Sequence, residues 1–109
     1  MGLRKAVGQR GSWFASVGGE SLPCVHDYWW RKGKYHDPYG RPDGGGKWDQ
    51  LAAALEGGRA ILTKDRVVSP EPDIRFEREG YIGVFAVTNV QLDENGLRFD
   101  FLGRLESLA

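Results

Sequence analysis

The chain has 109 residues, of which 40% are apolar and 28% are charged, and its formal net charge is zero. These values are typical of one globular domain and exclude a disordered chain, which would have fewer aromatic residues and more net charge. No run of about 18 apolar residues predicts a membrane span, and the amino terminus lacks the apolar segment of a signal peptide. The single cysteine excludes an internal disulfide, so we expect a cytoplasmic protein.

The charge is unevenly distributed along the chain. Residues 1–48 contain eight Lys or Arg and four Asp or Glu, a net charge of +4. Residues 49–109 contain seven and eleven, a net charge of −4. The basic half also holds all four tryptophans. Cations that meet phosphates and aromatic faces that accept bases are typical of polyanion binding.

The first elements predicted are two strands. Residues 1–11 are rich in glycine and basic residues and predict a flexible or edge-strand lead-in. Residues 12–17 and 20–25 are predicted as a hairpin around Gly18-Gly19, because glycine adopts positive φ without steric cost. Pro23 has no N–H to donate, which places the second strand at an edge or at a bulge.

A long loop and one helix follow. Residues 31–46 have no periodicity and contain seven Gly or Pro, and a loop longer than about 12 residues is often functional. Residues 47–56 predict a helix, because Trp48, Leu51 and Leu55 fall on one face. Gly57-Gly58 then ends the helix.

The remaining chain alternates between strands and loops. Strands are predicted over 59–69, with an interruption at 63–65, over 82–92 and over 97–101. The Pro-containing segment 69–80 is predicted as a loop, and residues 103–109 as a frayed tail. With hairpins and a single main helix, at residues 47–56, the pattern predicts one α+β domain over 1–109. We expect a small, strongly bent antiparallel sheet or barrel of about five to six strands.

Part of this layout resembles a known superfamily. The segment Tyr28-Trp29-Trp30, the helix over 48–56, the strand over 60–68 and the segment Gly80–Val87 resemble the order found in PUA-like barrels, with the EVE and ASCH types most similar. The similarity extends over residues 28–92. It implies a domain that binds nucleic acid or modified bases in a pocket flanked by aromatic residues. The hairpin ahead of it departs from that layout.

The most informative segment for function is residues 28–35, YWWRKGKY, which mixes aromatic rings with three cations. On a strand Tyr28 and Trp30 share one face and Trp29 has the other, so some of these rings are expected in the core. The segment nevertheless predicts stacking on bases and contacts with phosphates, in RNA, DNA or a nucleotide. The candidate ligand-binding residues are Trp29, Trp30, Arg31, Lys32, Lys34, Tyr35, His36 and Lys47.

An enzymatic alternative rests on three other side chains. Cys24, His26 and His36 are candidate metal ligands, or a nucleophile with its base. One thiolate is available, the spacing fits no standard zinc module, and Cys24 follows a proline in a strand rather than lying at a helix amino terminus. We therefore predict no metal, no cofactor and no catalytic residue, and a binding module in preference to an enzyme. A small Cys/His hydrolase or metal-assisted enzyme remains open, as does a protein-interaction domain of unknown oligomeric state.

Overall fold

The computed structural model describes residues 13–40, 46–70 and 74–108. The predicted lead-in over 1–11 lies outside these residues. The described chain forms one helix, α1 (Gly46–Leu55), and a 3₁₀ turn (Asp27–Trp29). It also forms seven strands, which are β1 (Phe14–Val17), β2 (Glu20–His26), β3 (Trp30–Arg31), β4 (Lys34–Asp37), β5 (Arg59–Ser69), β6 (Arg75–Asp93) and β7 (Gly96–Ser107).

The strands form one open sheet in the order β1-β2-β5-β6-β7-β4-β3. All neighbouring pairs are antiparallel except β2 and β5, which run parallel with Cys24 opposite Ile61 and His26 opposite Thr63. The α+β prediction is thus confirmed in its coarse form. The finer prediction is wrong, because the described sheet has seven strands, is mixed and does not close. The parallel pair arises because the chain returns through α1 before it enters β5.

The sheet contains two tight hairpins, of which the first was predicted from the sequence and the second was not. The hairpin of β1 and β2 is confirmed, and its turn residues Gly18 and Gly19 both have positive φ. The strands β3 and β4 lie inside the predicted loop over 31–46. Their turn is Lys32-Gly33, with φ of 50° and 82°. Such a turn favours Asn-Gly or Gly-Gly. Because lysine stands at its first position, the turn was not recognised in the sequence.

The predicted tail over 103–109 is instead part of the sheet. Strand β7 continues to Ser107, and the N–H of the buried Leu108 donates to the carbonyl of Ile82. Along this stretch the β6–β7 register shifts twice, so that Leu102 and Leu105 are the extra residues of two β-bulges. Both leucines are exposed. These bulges break the alternation of apolar and polar residues on which the prediction depended.

The charged segment 69–80 was also predicted wrongly in part. Strand β6 begins at Arg75, and β5 and β6 pair out to Ser69 and Arg75. Pro23 stands where β2 changes partner, from β1 over residues 20–23 to β5 over residues 24–26. Since β2 lies between two strands, the missing N–H is accommodated at this change of partner rather than at an outer edge.

Helix α1 covers one part of the sheet and creates the main core. Leu51 and Leu55 of α1 are buried against Val25, Tyr35, Ala60, Leu62, Val87, Leu97 and Phe99. Trp13, Trp29 and Trp48 are half-buried at the border of this core. The helix is one residue displaced from its predicted bounds. Within the described ranges no helix is both long and apolar enough to cross a membrane.

We expect Gly96→Ala to destabilise the fold by more than about 2 kcal/mol. Gly96 has a φ of +111°, and a Cβ added there would overlap the carbonyl oxygen of Asp37 and lie 2.8 Å from the Cα of Pro38. Gly19→Ala is the matched control, since Gly19 also has positive φ but no atom within 4 Å of the added Cβ. Urea unfolding should give a loss of about 1 kcal/mol for the control. Equal losses would contradict the close packing of β4 on the β6–β7 turn.

Candidate functional site

The described residues form a cleft beside the amino-terminal half of α1. It consists of an inner cavity of about 60 Å³ and an outer cavity of about 390 Å³, which share the side chains of Trp13, His26, Asp37 and Trp48. We call this site the aromatic cleft. Its inner part is also lined by Cys24, Tyr35, Leu51 and Arg78, and its outer part by Trp29, Tyr39, Ile74 and Phe76.

The walls of the aromatic cleft are rings held by contact with other rings. Trp13 packs edge-on against Trp48, with 4.8 Å between ring centroids. Trp29 lies 5.8 Å from Tyr39 and 6.2 Å from Phe76. Trp48 is placed by the apolar stripe of α1, while Trp29 is placed by the 3₁₀ turn. Because neighbouring rings restrain these side chains, the walls are formed before any ligand enters.

His26 is oriented by a buried carboxylate. Its Nδ1 is in direct contact with Oδ2 of Asp65, whose side chain is only 1% exposed. The hydroxyl of Thr63 donates to the same oxygen at 2.8 Å. The imidazole also stacks on Phe76, with 4.4 Å between centroids. Since the carboxylate accepts from Nδ1–H, the neutral ring keeps Nε2 as a hydrogen-bond acceptor.

Asp37 is the second polar group in both cavities, and it is 7% exposed. Its Oδ1 accepts a hydrogen bond of 2.9 Å from the N–H of Tyr39, two residues on, which is an Asx-turn. Burial raises the pKa of this carboxyl, and the Tyr39 hydrogen bond and the two histidines oppose that change. No Lys or Arg of the described chain forms an ion pair with it. Asp37 is therefore a buried acceptor with unused hydrogen-bonding capacity.

The inner cavity contains a thiol that is not activated. Burial raises the pKa of Cys24 to about 11, and the neighbouring Arg78 offsets only part of that effect. Tyr35 is also buried, its hydroxyl accepts from the N–H of His26 at 3.2 Å, and burial raises its pKa well above the usual range. Because a thiol nucleophile acts as the thiolate, Cys24 is unsuited to nucleophilic catalysis at neutral pH.

The structure places two of the predicted ligand-binding residues at the aromatic cleft. Trp29 forms part of its outer wall and Tyr35 part of its inner end. Lys47 is exposed and directly precedes Trp48 in α1, but it lines neither cavity.

The other predicted residues lie outside the cleft. Trp30 packs against Phe101, and the exposed Lys32 lies in the β3–β4 turn. The guanidinium of Arg31 donates to the carbonyls of Tyr28 and Trp30, and Lys34 pairs with Asp100 at 3.2 Å. None of these four side chains lines the cleft, and Lys34 instead lines a separate cavity of about 300 Å³ together with Tyr35 and His36.

The three candidate catalytic or metal-binding residues do not converge. Cys24 and His26 both line the inner cavity. On β4, Tyr35 and Asp37 are buried while Lys34 and His36 are exposed, so His36 points to the opposite face. There its Nε2 lies 2.7 Å from the carbonyl oxygen of Asn95. The described residues contain no group of three or more His, Cys, Asp or Glu that could hold a metal.

Several cleft residues were not predicted from the sequence, namely Trp13, Asp37, Tyr39, Phe76 and Arg78, and neither was Asp65, which contacts His26. For Asp37 a signal existed, because Asp-Pro-Tyr is a turn sequence in which an aspartate accepts from the backbone two residues on. Asp65, Phe76 and Arg78 stand in charged strand segments without a motif. The parallel pairing of β2 with β5 brings Asp65 to His26, and the pairing of β5 with β6 brings Phe76 and Arg78 to the cleft.

Comparisons of the chain with models of protein families, with curated proteins and with solved structures found no match. The resemblance to PUA-like barrels therefore stays a prediction. The case for function rests on the geometry of the aromatic cleft.

We predict that Asp37→Asn raises the free energy of unfolding at about pH 7. The raised pKa means that the folded state binds the Asp37 proton more tightly than the unfolded state. The protonated carboxyl of Asp37 contributes its full stabilisation below the pKa of the unfolded state. This stabilisation is lost as the pH rises through the pKa of the folded state. The amide stays neutral and still accepts from the N–H of Tyr39. Urea unfolding should show a gain near pH 7 that disappears near pH 3, and a less stable variant at pH 7 would contradict the assignment.

Native Cys24 should resist alkylation. With its thiol buried and its pKa near 11, we expect iodoacetamide at about pH 8 to label the native protein far more slowly than the urea-unfolded protein. Mass spectrometry of the two samples measures this difference. Rapid labelling of the native chain would restore Cys24 as a candidate nucleophile.

Proposed function

We propose that this protein binds a nucleobase, within a nucleic acid or a nucleotide, in the aromatic cleft. The observation that carries the proposal is the combination of five aromatic side chains with two oriented polar groups around one opening. The rings are those of Trp13, Trp29, Tyr39, Trp48 and Phe76, and the polar groups are His26 and Asp37.

The dimensions and the chemistry of the cleft support this class of ligand. Its outer cavity of about 390 Å³ lies within the usual range of small-ligand pockets, about 300–1,000 Å³. Stacking of a base on an aromatic side chain contributes about 1–3 kcal/mol. A planar ring with polar edges uses both the walls and the buried acceptors, whereas an aliphatic ligand would leave the acceptors unpaired.

Cations near the cleft are the proposed phosphate contacts. Lys47 stands next to Trp48, and Arg31 and Lys32 follow Trp29 through the short strand β3. A nucleic-acid strand with one base in the cleft would place its phosphates beside these side chains. The contribution of Lys34 is expected to be smaller, because Asp100 already pairs with it.

The enzymatic alternative has one supporting feature. Asp65 orients His26 in the manner that a general base requires. The protonated Cys24 supplies no nucleophile, however, and His36 lies on the other face of β4. With neither a metal group nor an activated side chain among the described residues, a binding function accounts for more of the site than catalysis does.

The adjacent tryptophans provide a matched test. We expect Trp29→Ala to weaken binding of a fluorescein-labelled mixed-sequence single strand by about 10-fold, because it removes a wall on which the base stacks. Trp30→Ala removes a ring outside the cleft and should change the affinity by less than about 2-fold. Fluorescence anisotropy in low salt measures both, and circular dichroism verifies that each variant is folded. An equal effect of the two substitutions, or no binding by the unsubstituted protein, would refute the proposal.

Salt dependence tests the phosphate contacts separately. The affinity should fall with added salt, and Lys47→Glu should reduce the slope of log K against log salt by about 1. Glu56→Lys, at the other end of α1, is a control for a general charge effect. An unchanged slope for Lys47→Glu would remove Lys47 from the interface.

A further inference from the structure

His26 and Asp37 both present hydrogen-bond acceptors to the outer cavity. His26 donates its Nδ1–H to Asp65 and so offers Nε2 as an acceptor in its neutral form. An ionised Asp37 has no proton to donate and accepts through two oxygens. A ligand edge that faces these groups must therefore supply N–H or O–H donors.

Asp37 is placed to accept two hydrogen bonds from one ligand. A carboxylate has about four lone-pair sites, and the described residues occupy one of them, through the N–H of Tyr39 at 2.9 Å. This Asx-turn fixes the direction of the carboxylate, and burial at 7% exposure limits its access to water. A ligand with two adjacent donors would satisfy the carboxylate in the bidentate manner.

The common bases differ in this respect. Guanine has two adjacent donors on its Watson–Crick edge, N1–H and the 2-amino group. Adenine and cytosine present one amino group beside an unprotonated ring nitrogen, which would face the carboxylate as a second acceptor. Uracil and thymine present one N–H between two carbonyl oxygens. Leaving a buried acceptor opposite another acceptor costs the desolvation of both.

Building on the proposed function, we propose that the aromatic cleft selects guanine, and that Asp37 reads the base by accepting from N1–H and from the 2-amino group. The rings of the cleft can stack on any base, so they contribute affinity but no selectivity. The carboxylate provides the selectivity, since a bidentate contact is the usual means by which a side chain discriminates one base edge from another.

The test uses oligothymidine nine-mers whose central base alone is varied. We expect the strand with guanine to bind about 10-fold or more tightly than strands with adenine, cytosine or thymine at that position. Hypoxanthine, which is guanine without the 2-amino group, should lose most of this advantage. Asp37→Asn should abolish the preference for guanine while the all-thymine strand still binds, because its amide offers a donor as well as an acceptor.

The outcomes separate the two proposals. Equal affinities for all central bases, all of them weakened by Trp29→Ala, would overturn the selection of guanine and leave base binding intact. A preference for thymine or adenine would overturn it as well. No binding of any strand would remove both proposals. Competition by free guanosine monophosphate identifies the source of the base: full competition supports a free nucleotide, and weak competition supports a base within a strand.

Discussion

The site depends on one buried carboxylate, that of Asp65. Its Oδ2 accepts from His26 on β2 and from Thr63 on β5, and its backbone N–H donates to Asp27 at the start of the 3₁₀ turn. The guanidinium of Arg78 on β6 lies 4.0 Å from its other oxygen. Asp65 thus joins the strand that carries His26, the turn that carries Trp29 and the strand that carries Phe76. These contacts are possible because β2 and β5 run parallel, which sets His26 opposite Thr63.

The buried carboxylate of Asp37 reduces the stability of the fold at the site. A carboxylate at this position is desolvated and forms no ion pair with a Lys or Arg of the described chain, so its ionised form opposes folding. The Asx-turn nevertheless holds the group in one direction. Unfavourable local energy together with a fixed geometry is expected where a side chain serves a ligand rather than the fold.

The local elements were largely predictable, and the long-range pairings were not. The apolar stripe of Trp48, Leu51 and Leu55 predicts α1, and Gly18-Gly19 predicts the first hairpin, because these signals lie within a few residues of each other. The hairpin at Lys32-Gly33 was missed because its turn lacks the favoured residues. Of the site, the segment around Trp29 was identified as important. Asp65 joins it through the parallel pairing of β2 with β5, and Phe76 through the pairing of β5 with β6. The register of β5 with β6 shifts three times, so it departs from the regular alternation by which a sequence pattern predicts register.

The two bulges of β7 affect how readily the sheet can pair with another protein chain. Strand β4 covers β7 only over Leu97–Asp100, and beyond this no described strand pairs with the same side of β7. An uncovered strand end exposes a row of backbone donors and acceptors that invites another chain to extend the sheet. The extra residues Leu102 and Leu105 interrupt the even spacing of that row and increase its twist. The irregularity that hid this strand from sequence reasoning therefore also protects the sheet against edge-to-edge aggregation.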